Sequence, residues 1–194
     1  MEKKDLKPAG VFKYFEEICQ VPRPSKKEEK MIAYLKAFGA KHNLETKVDE
    51  AGNVLIKKPA TPGKENLQTV VLQSHIDMVC EKNNDVQHDF LTDPIETEID
   101  GEWLKAKGTT LGADNGIGVA TELAILADDS IEHGPLECLF TVDEETGLTG
   151  AFALKEGFMS GDILLNLDSE DEGEIFIGCA GGIDSVAEFT LFSY

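Results

Sequence analysis

Four short clusters hold the residues whose types and spacing could do chemistry: His75-Ile76-Asp77, Gly112-Ala113-Asp114-Asn115-Gly116, Asp143-Glu144-Glu145-Thr146-Gly147 and Asn166-Leu167-Asp168. In the first, residues i and i+2 share one face of an extended segment. A metal-binding imidazole usually donates its other ring N–H to a carboxylate or carbonyl, and Asp77 is spaced to receive it. A loop histidine beside a surface aspartate fits the same spacing. In the second cluster, flanking glycines allow left-handed angles and close approach to a ligand. An aspartate held there, just before a helix, is placed to bridge two cations, although taken alone the stretch reads more simply as an ordinary Asp-Asn-Gly turn. In the third, two adjacent glutamates follow an apolar strand. Once the chain turns they can face different partners, one ligating metal and one handling protons. A solvated acidic run is the alternative, but such runs rarely sit between a buried strand and a glycine turn. In the fourth, Asp168 closes the apolar run Ile163-Leu164-Leu165. A carboxylate at the end of a buried strand is costly unless it is paired or metal-bound; a turn or cap aspartate is the other reading. The Ser169–Asp171 run that follows reads as solvent-facing, and no role is assigned to it.

One histidine and several carboxylates form a donor set suited to borderline divalent metals. Two such ions about 3.5–4 Å apart, sharing a carboxylate and a water, make a hydrolytic device. The overall charge agrees. The 194-residue chain carries −19 at pH 7, which argues against nucleic acid and anionic membrane surfaces as partners and favours cations. No apolar run approaches the roughly 20 residues of a membrane span, and no signal-type stretch follows Met1, so the expected location is cytoplasmic. Cys19, Cys80, Cys138 and Cys179 are widely spaced beside apolar residues and read as reduced core thiols.

These clusters must be positioned by secondary structure. Apolar residues 11, 12, 15, 18 and 19 recur at helical spacing, and Val21-Pro22-Arg23-Pro24 breaks that helix. Ser25-Lys26-Lys27-Glu28 has the pattern of a capping box ahead of a helix striped with Met31, Ile32, Leu35 and Phe38, which stops near Asn43. Residues 45–57 read as a hairpin, and 69–73 as a buried strand. Residues 81–94 suit an exposed acidic loop, and 95–107 a second hairpin turning at Asp100-Gly101. The Ala-rich segment 117–126 reads as a buried helix. Residues 136–142, 162–168 and 174–178 read as strands, with a short helix over 150–155. Alternation of apolar strands with helices predicts an α/β fold, a mixed and largely parallel sheet with helices on both faces. Sites in open sheets of this kind form at the carboxyl ends of the strands, and all four clusters fall there. Residues 186–192 resemble a fresh strand that opens a further domain.

Ser74-His75-Ile76-Asp77-Met78-Val79, Gly112-Ala113-Asp114-Asn115-Gly116, Asp143-Glu144-Glu145-Thr146-Gly147 and Leu167-Asp168 resemble, in order and spacing, the motifs of the di-zinc M20 metallopeptidases. Ile18–Ser25 and Gly108–Gly116 look most like the aminoacyl-histidine (Xaa-His) dipeptidases within that family. The resemblance implies a zinc-exopeptidase-like catalytic domain. It implies that His75 and Asp168 hold one Zn2+, that Asp114 bridges to a second held by Glu145, that Asp77 orients His75, and that Glu144 is the general base. Ligand type alone does not separate zinc from cobalt or manganese. The resemblance also implies a cis bond between Asp114 and Asn115, a small dipeptide as substrate, and a homodimer formed through a lid domain. Similar enzymes complete the second metal site with a histidine far downstream, and no histidine follows Asp168 here. The chain is therefore expected to be a fragment: residues 1–180 as the N-terminal part of the catalytic domain, and 181–194 as the start of a lid that is otherwise absent.

Overall fold

The computed structural model describes residues 2–169, 171, 173–179, 181–182 and 185–189. Helices α1 (Ala9–Cys19) and α2 (Glu29–Lys41) lead into a hairpin of β1 (Glu45–Val48) and β2 (Val54–Lys58). Strand β3 (Val70–His75) follows, then a long loop and a separate two-stranded hairpin of β4 (Thr97–Asp100) and β5 (Trp103–Ala106). Helix α3 (Ala113–Ala127), β6 (Leu136–Thr141), the short α4 (Thr149–Ala153) and β7 (Ile163–Asn166) complete the order.

The main sheet has the order β1-β2-β6-β3-β7. The β1–β2 and β2–β6 pairs are antiparallel, and the β6–β3 and β3–β7 pairs are parallel. The sheet is thus mixed, as expected, but divided evenly between antiparallel and parallel pairs and not largely parallel. Its central strands are apolar on both faces because both faces are covered. Val54, Ile56, Leu72, Cys138 and Phe140 pack beneath the helices with Phe15, Ile18, Met31, Leu35 and Leu123. The alternate residues Leu55, Val71 and Leu139 meet Leu154, Phe158 and Met159 on the other side. Burying each such side chain stabilises the fold by about 1.5–3 kcal/mol, so this core supplies the rigidity that the strand ends inherit.

Five local expectations are corrected. Ser25–Glu28 forms no capping box: α2 starts at Glu29 with no side-chain cap, because Ser25 and Glu28 are drawn into hydrogen bonds with the strand-end loops described below. Strand β7 forms where expected but is not buried; Ile163, Leu164 and Leu165 are 39–48 % exposed, since among the described residues β7 is an edge strand bonded to β3 alone. Residues 174–178 form no strand and Ile175 stands in solvent; they meet no partner strand among the described residues. For the same reason residues 185–189 form no strand, and the rest of that expected strand lies outside the described residues. Among the thiols, Cys19 and Cys138 are buried, but Cys179 is exposed on this unpaired tail.

Candidate metal centre

Parallel pairing brings the clusters together. Strands β6, β3 and β7 run in one direction, so their carboxyl ends share an edge. His75, the last residue of β3, is paired with Thr141 of β6, and Gln73 is paired with Asn166 of β7. Two residues beyond that pair, His75 and Asp168 arrive side by side. Glu144 and Glu145 follow β6 through a turn in which Asp143 is left-handed, with φ of 49°. Asp143 is held there by hydroxyl donors from Thr146 (2.6 Å) and Thr149. Gly150 closes the turn under the sheet end; a Cβ there would lie 2.3 Å from the Val142 carbonyl, so only glycine fits. The second cluster, around Asp114, comes from the start of α3. The chain is non-helical at Asp114 and Asn115, and the bond between them is cis.

His75 is buried at 1 % exposure and carboxylates surround its ring. Nδ1 lies 3.2 Å from Asp77 Oδ1. Nε2 lies 3.1 Å from Asp114 Oδ1, 3.5 Å from Asp168 Oδ1 and 3.9 Å from Glu144 Oε2. His75, Asp114 and Asp168 offer ligand atoms within 4.8 Å of one another, as do His75, Glu144 and Glu145. All six residues singled out from the sequence therefore meet at one place, beside a cleft of about 290 Å³ lined by Asp114, Asn115, Ile117, Leu167 and Asp168.

The electrostatics are those of an anionic site short of positive charge. Burial alone would lower the His75 pKa, but Asp168 and Asp77 outweigh it and raise it to about 10. Burial would raise Asp77; the His75 ring, the Glu144 N–H and the Ser25 hydroxyl reverse that and hold it at about 2. Contact with His75 keeps Asp168 below its usual range. Burial lifts Glu144 and Glu145, each reinforced by neighbouring carboxylates. Among the described residues, no lysine or arginine pairs with Asp114, Glu144, Glu145 or Asp168. An imidazole ringed by several carboxylates with no lysine or arginine partner among the described residues is a donor set that fits divalent cations.

A further acidic group, Glu28, Asp77 and Asp143, is buried behind this edge. Its carboxylates already receive protein donors. Glu28 Oε1 accepts the Lys26 and Asp143 N–H groups (2.8 and 3.1 Å). Asp77 accepts the Ser25 hydroxyl at 2.8 Å and the Glu144 and Glu145 N–H groups at 3.0 and 3.2 Å. These groups aim the turn; they are not a second metal site. Reading the sequence missed this layer, namely Arg23, Ser25, Glu28 and Asn53. The one signal for it was polar residues, including a lone arginine between two prolines, in a segment that is neither helix nor strand.

Comparison with known proteins gives a consistent picture. The sequence profile of peptidase family M20/M25/M40 matches residues 71–188. The cytosol non-specific dipeptidase of Escherichia coli (strain K12) is 52 % identical over 190 residues, covering 98 % of this chain and 39 % of that protein. The crystal structure of aminoacylhistidine dipeptidase from Vibrio alginolyticus superposes with a TM-score of 0.89 at 56 % identity, over 92 % of this chain and 36 % of that one. The aminopeptidase PepT of Bacillus cereus superposes with a TM-score of 0.71 at 26 % identity, over 84 % and 43 % respectively. The chain thus spans about two fifths of the length of these relatives.

Proposed function

The chain belongs to peptidase family M20/M25/M40, and from that premise we propose that the whole protein is a metal-dependent dipeptidase that cleaves Xaa-His dipeptides. The convergence of Asp114, Asp168, Glu144 and Glu145 on the buried His75 carries this reading. In it, His75 and Asp168 would hold one cation, Asp114 and Glu145 would help to hold a second, with Asp114 shared, and Asp77 would fix the tautomer and aim of His75. The two cations, taken as Zn2+ with Co2+ or Mn2+ as alternatives, would supply an activated water and charge neutralisation at the scissile carbonyl.

The chain's own residues do the rest. Asp77, whose Oδ1 lies 3.2 Å from His75 Nδ1, is placed to receive the ring N–H on that side, which would leave Nε2 to ligate. It also holds the Glu144 and Glu145 backbone by their N–H groups. Burial keeps Glu144 above the ordinary carboxylate range, which brings it nearer to the range where a carboxylate can both take and return a proton. Glu144 Oε2 faces the same space as His75 Nε2. From there it takes a proton from the attacking water and passes it to the leaving amine.

Residues 1–180 are, on this reading, the N-terminal part of a catalytic domain, and 181–194 the start of a lid through which two copies pair. The location is cytoplasmic; among the described residues no helix is long and apolar enough to cross a membrane, and the Escherichia coli relative is named a cytosol enzyme. That relative's name, non-specific dipeptidase, favours a second reading in which dipeptides without histidine are also cleaved. Hydrolysis of a dipeptide panel by the whole protein and its Glu144→Ala form tests both. The expected result is cleavage of Xaa-His substrates that falls by at least 10²-fold in the variant with metal content unchanged. Equal activity in the two proteins refutes the assignment.

A further inference from the structure

Arg23 is 2 % exposed and forms no ion pair among the described residues. Its guanidinium is always charged and presents donors in a fixed planar fork. Burying such a charge costs several kcal/mol unless hydrogen bonds compensate, and here they do. One arm, Nη1, donates to the carbonyls of Ile76 at 3.1 Å and Asp77 at 3.0 Å. The other, Nη2, donates to the carbonyl of Gly112. The first two carbonyls follow His75; the third precedes Asp114. The fork therefore spans the two loops that bring the imidazole and the proposed bridging carboxylate together.

The surroundings are shaped for this group. Gly112 is left-handed, with φ of 68°, and a Cβ on it would lie 2.5 Å from Nη2. A Cβ on Gly116 would lie 2.7 Å from the same nitrogen. The Arg23 backbone is fastened too, its carbonyl accepting the Met78 N–H at 3.2 Å. Two residues on, Ser25 donates to Asp77 Oδ2. An ammonium group in place of the fork is a single point. It can reach one loop or the other but cannot hold both at a set separation.

We infer that Arg23 is a positioning residue that fixes the distance between the His75–Asp77 loop and the Gly112–Asp114 loop, and so the geometry in which the site holds cations. The inference rests on the dipeptidase reading above. Its test is titration of the whole metal-free protein with Co2+, followed by visible absorption, for wild type, Arg23→Lys and Gly116→Ala. Gly116→Ala keeps the arginine and displaces its fork without touching a ligand, so it serves if Arg23→Lys does not fold. The expected result is a Co2+ affinity about 10–100-fold weaker in each folded variant, an altered Co2+ spectrum, and a kcat that falls more than KM rises. Wild-type Co2+ affinity and spectrum in either folded variant, even with a lowered melting temperature, overturn the inference while leaving the dipeptidase reading intact. Wild-type protein that binds no Co2+ overturns that reading, and this one with it.

Discussion

Replacing Asp77 by asparagine keeps shape and volume and removes one charge from the centre of the site. The carboxylate is fully buried. Oδ1 accepts the Glu144 N–H at 3.0 Å and lies 3.2 Å from His75 Nδ1; Oδ2 accepts the Ser25 hydroxyl and the Glu145 N–H. An amide must turn its NH2 toward one side or the other. Either way it confronts a backbone N–H that has no other acceptor. Losing a hydrogen bond to a charged group costs about 1.5–3 kcal/mol, and the stranded donor adds to that, so a loss of about 3 kcal/mol is expected. The lowered pKa, which reports the same contacts, gives a similar figure. A shift from 3.8 to about 2 is a preference for the ionised form of about 2 kcal/mol. The sign follows from the direction of the shift. A depressed carboxylate contributes stability above its unfolded pKa, which is lost as the pH falls toward 2. Urea denaturation of the metal-free whole protein between pH 7 and pH 3 measures this, and the Asp77→Asn form should be weaker at pH 7 and should lack this group's share of the acid-side loss. Zinc affinity, by competition with a chelator, should fall about 10–100-fold. A variant with wild-type stability and zinc affinity within twofold of the parent would refute the claim that Asp77 organises the site.

Two other substitutions probe the frame and the buried charge. Asn53, fully buried at the start of β2, donates to the Gly150 carbonyl at 2.8 Å and accepts the Val142 N–H at 3.1 Å. Asn53→Ala strands both groups and should cost about 2–4 kcal/mol in chemical denaturation; a cost under 0.5 kcal/mol contradicts the role given to that cross-link. Glu122, on α3, is buried with neither oxygen hydrogen-bonded, and Ser74 and Cys138 are its polar neighbours. Burial raises its pKa well above the usual value, so its contribution is present below the unfolded pKa and is lost as the pH rises through the folded one. Glu122→Gln should flatten the stability profile above pH 5, removing a slope of up to about 1.4 kcal/mol per pH unit. An unchanged profile refutes the assignment.

The fold was legible where patterning is local. Apolar periodicity located the helices, and the short runs at β3 and β6 located strands buried on both faces. The ligand set was legible because each member ends a strand or starts a helix beside glycine, and parallel pairing brings such ends to one edge. What was hidden depends on neighbours. An edge strand and a central strand share the same apolar composition, so the exposure of Leu164 and Leu165 could not be read. Ser25-Lys26-Lys27-Glu28 matches a helix cap locally, yet Asp77 and the Asp143 N–H compete for its polar groups across about 50 and 115 residues of chain. Arg23 gave no periodic signal, because its partners are backbone carbonyls that any sequence supplies.

The central claim is that two strand ends, one strand-end turn and one kinked helix start make a single cation-binding cluster around His75. Anomalous diffraction at the zinc edge from crystals of the whole protein tests it most directly. The expected result is one peak bonded to His75 Nε2 and Asp168, and a neighbouring peak at Glu145, with Asp114 touching both. Peaks elsewhere on the surface, or a metal-loaded crystal with His75 Nε2 unbound, contradict it.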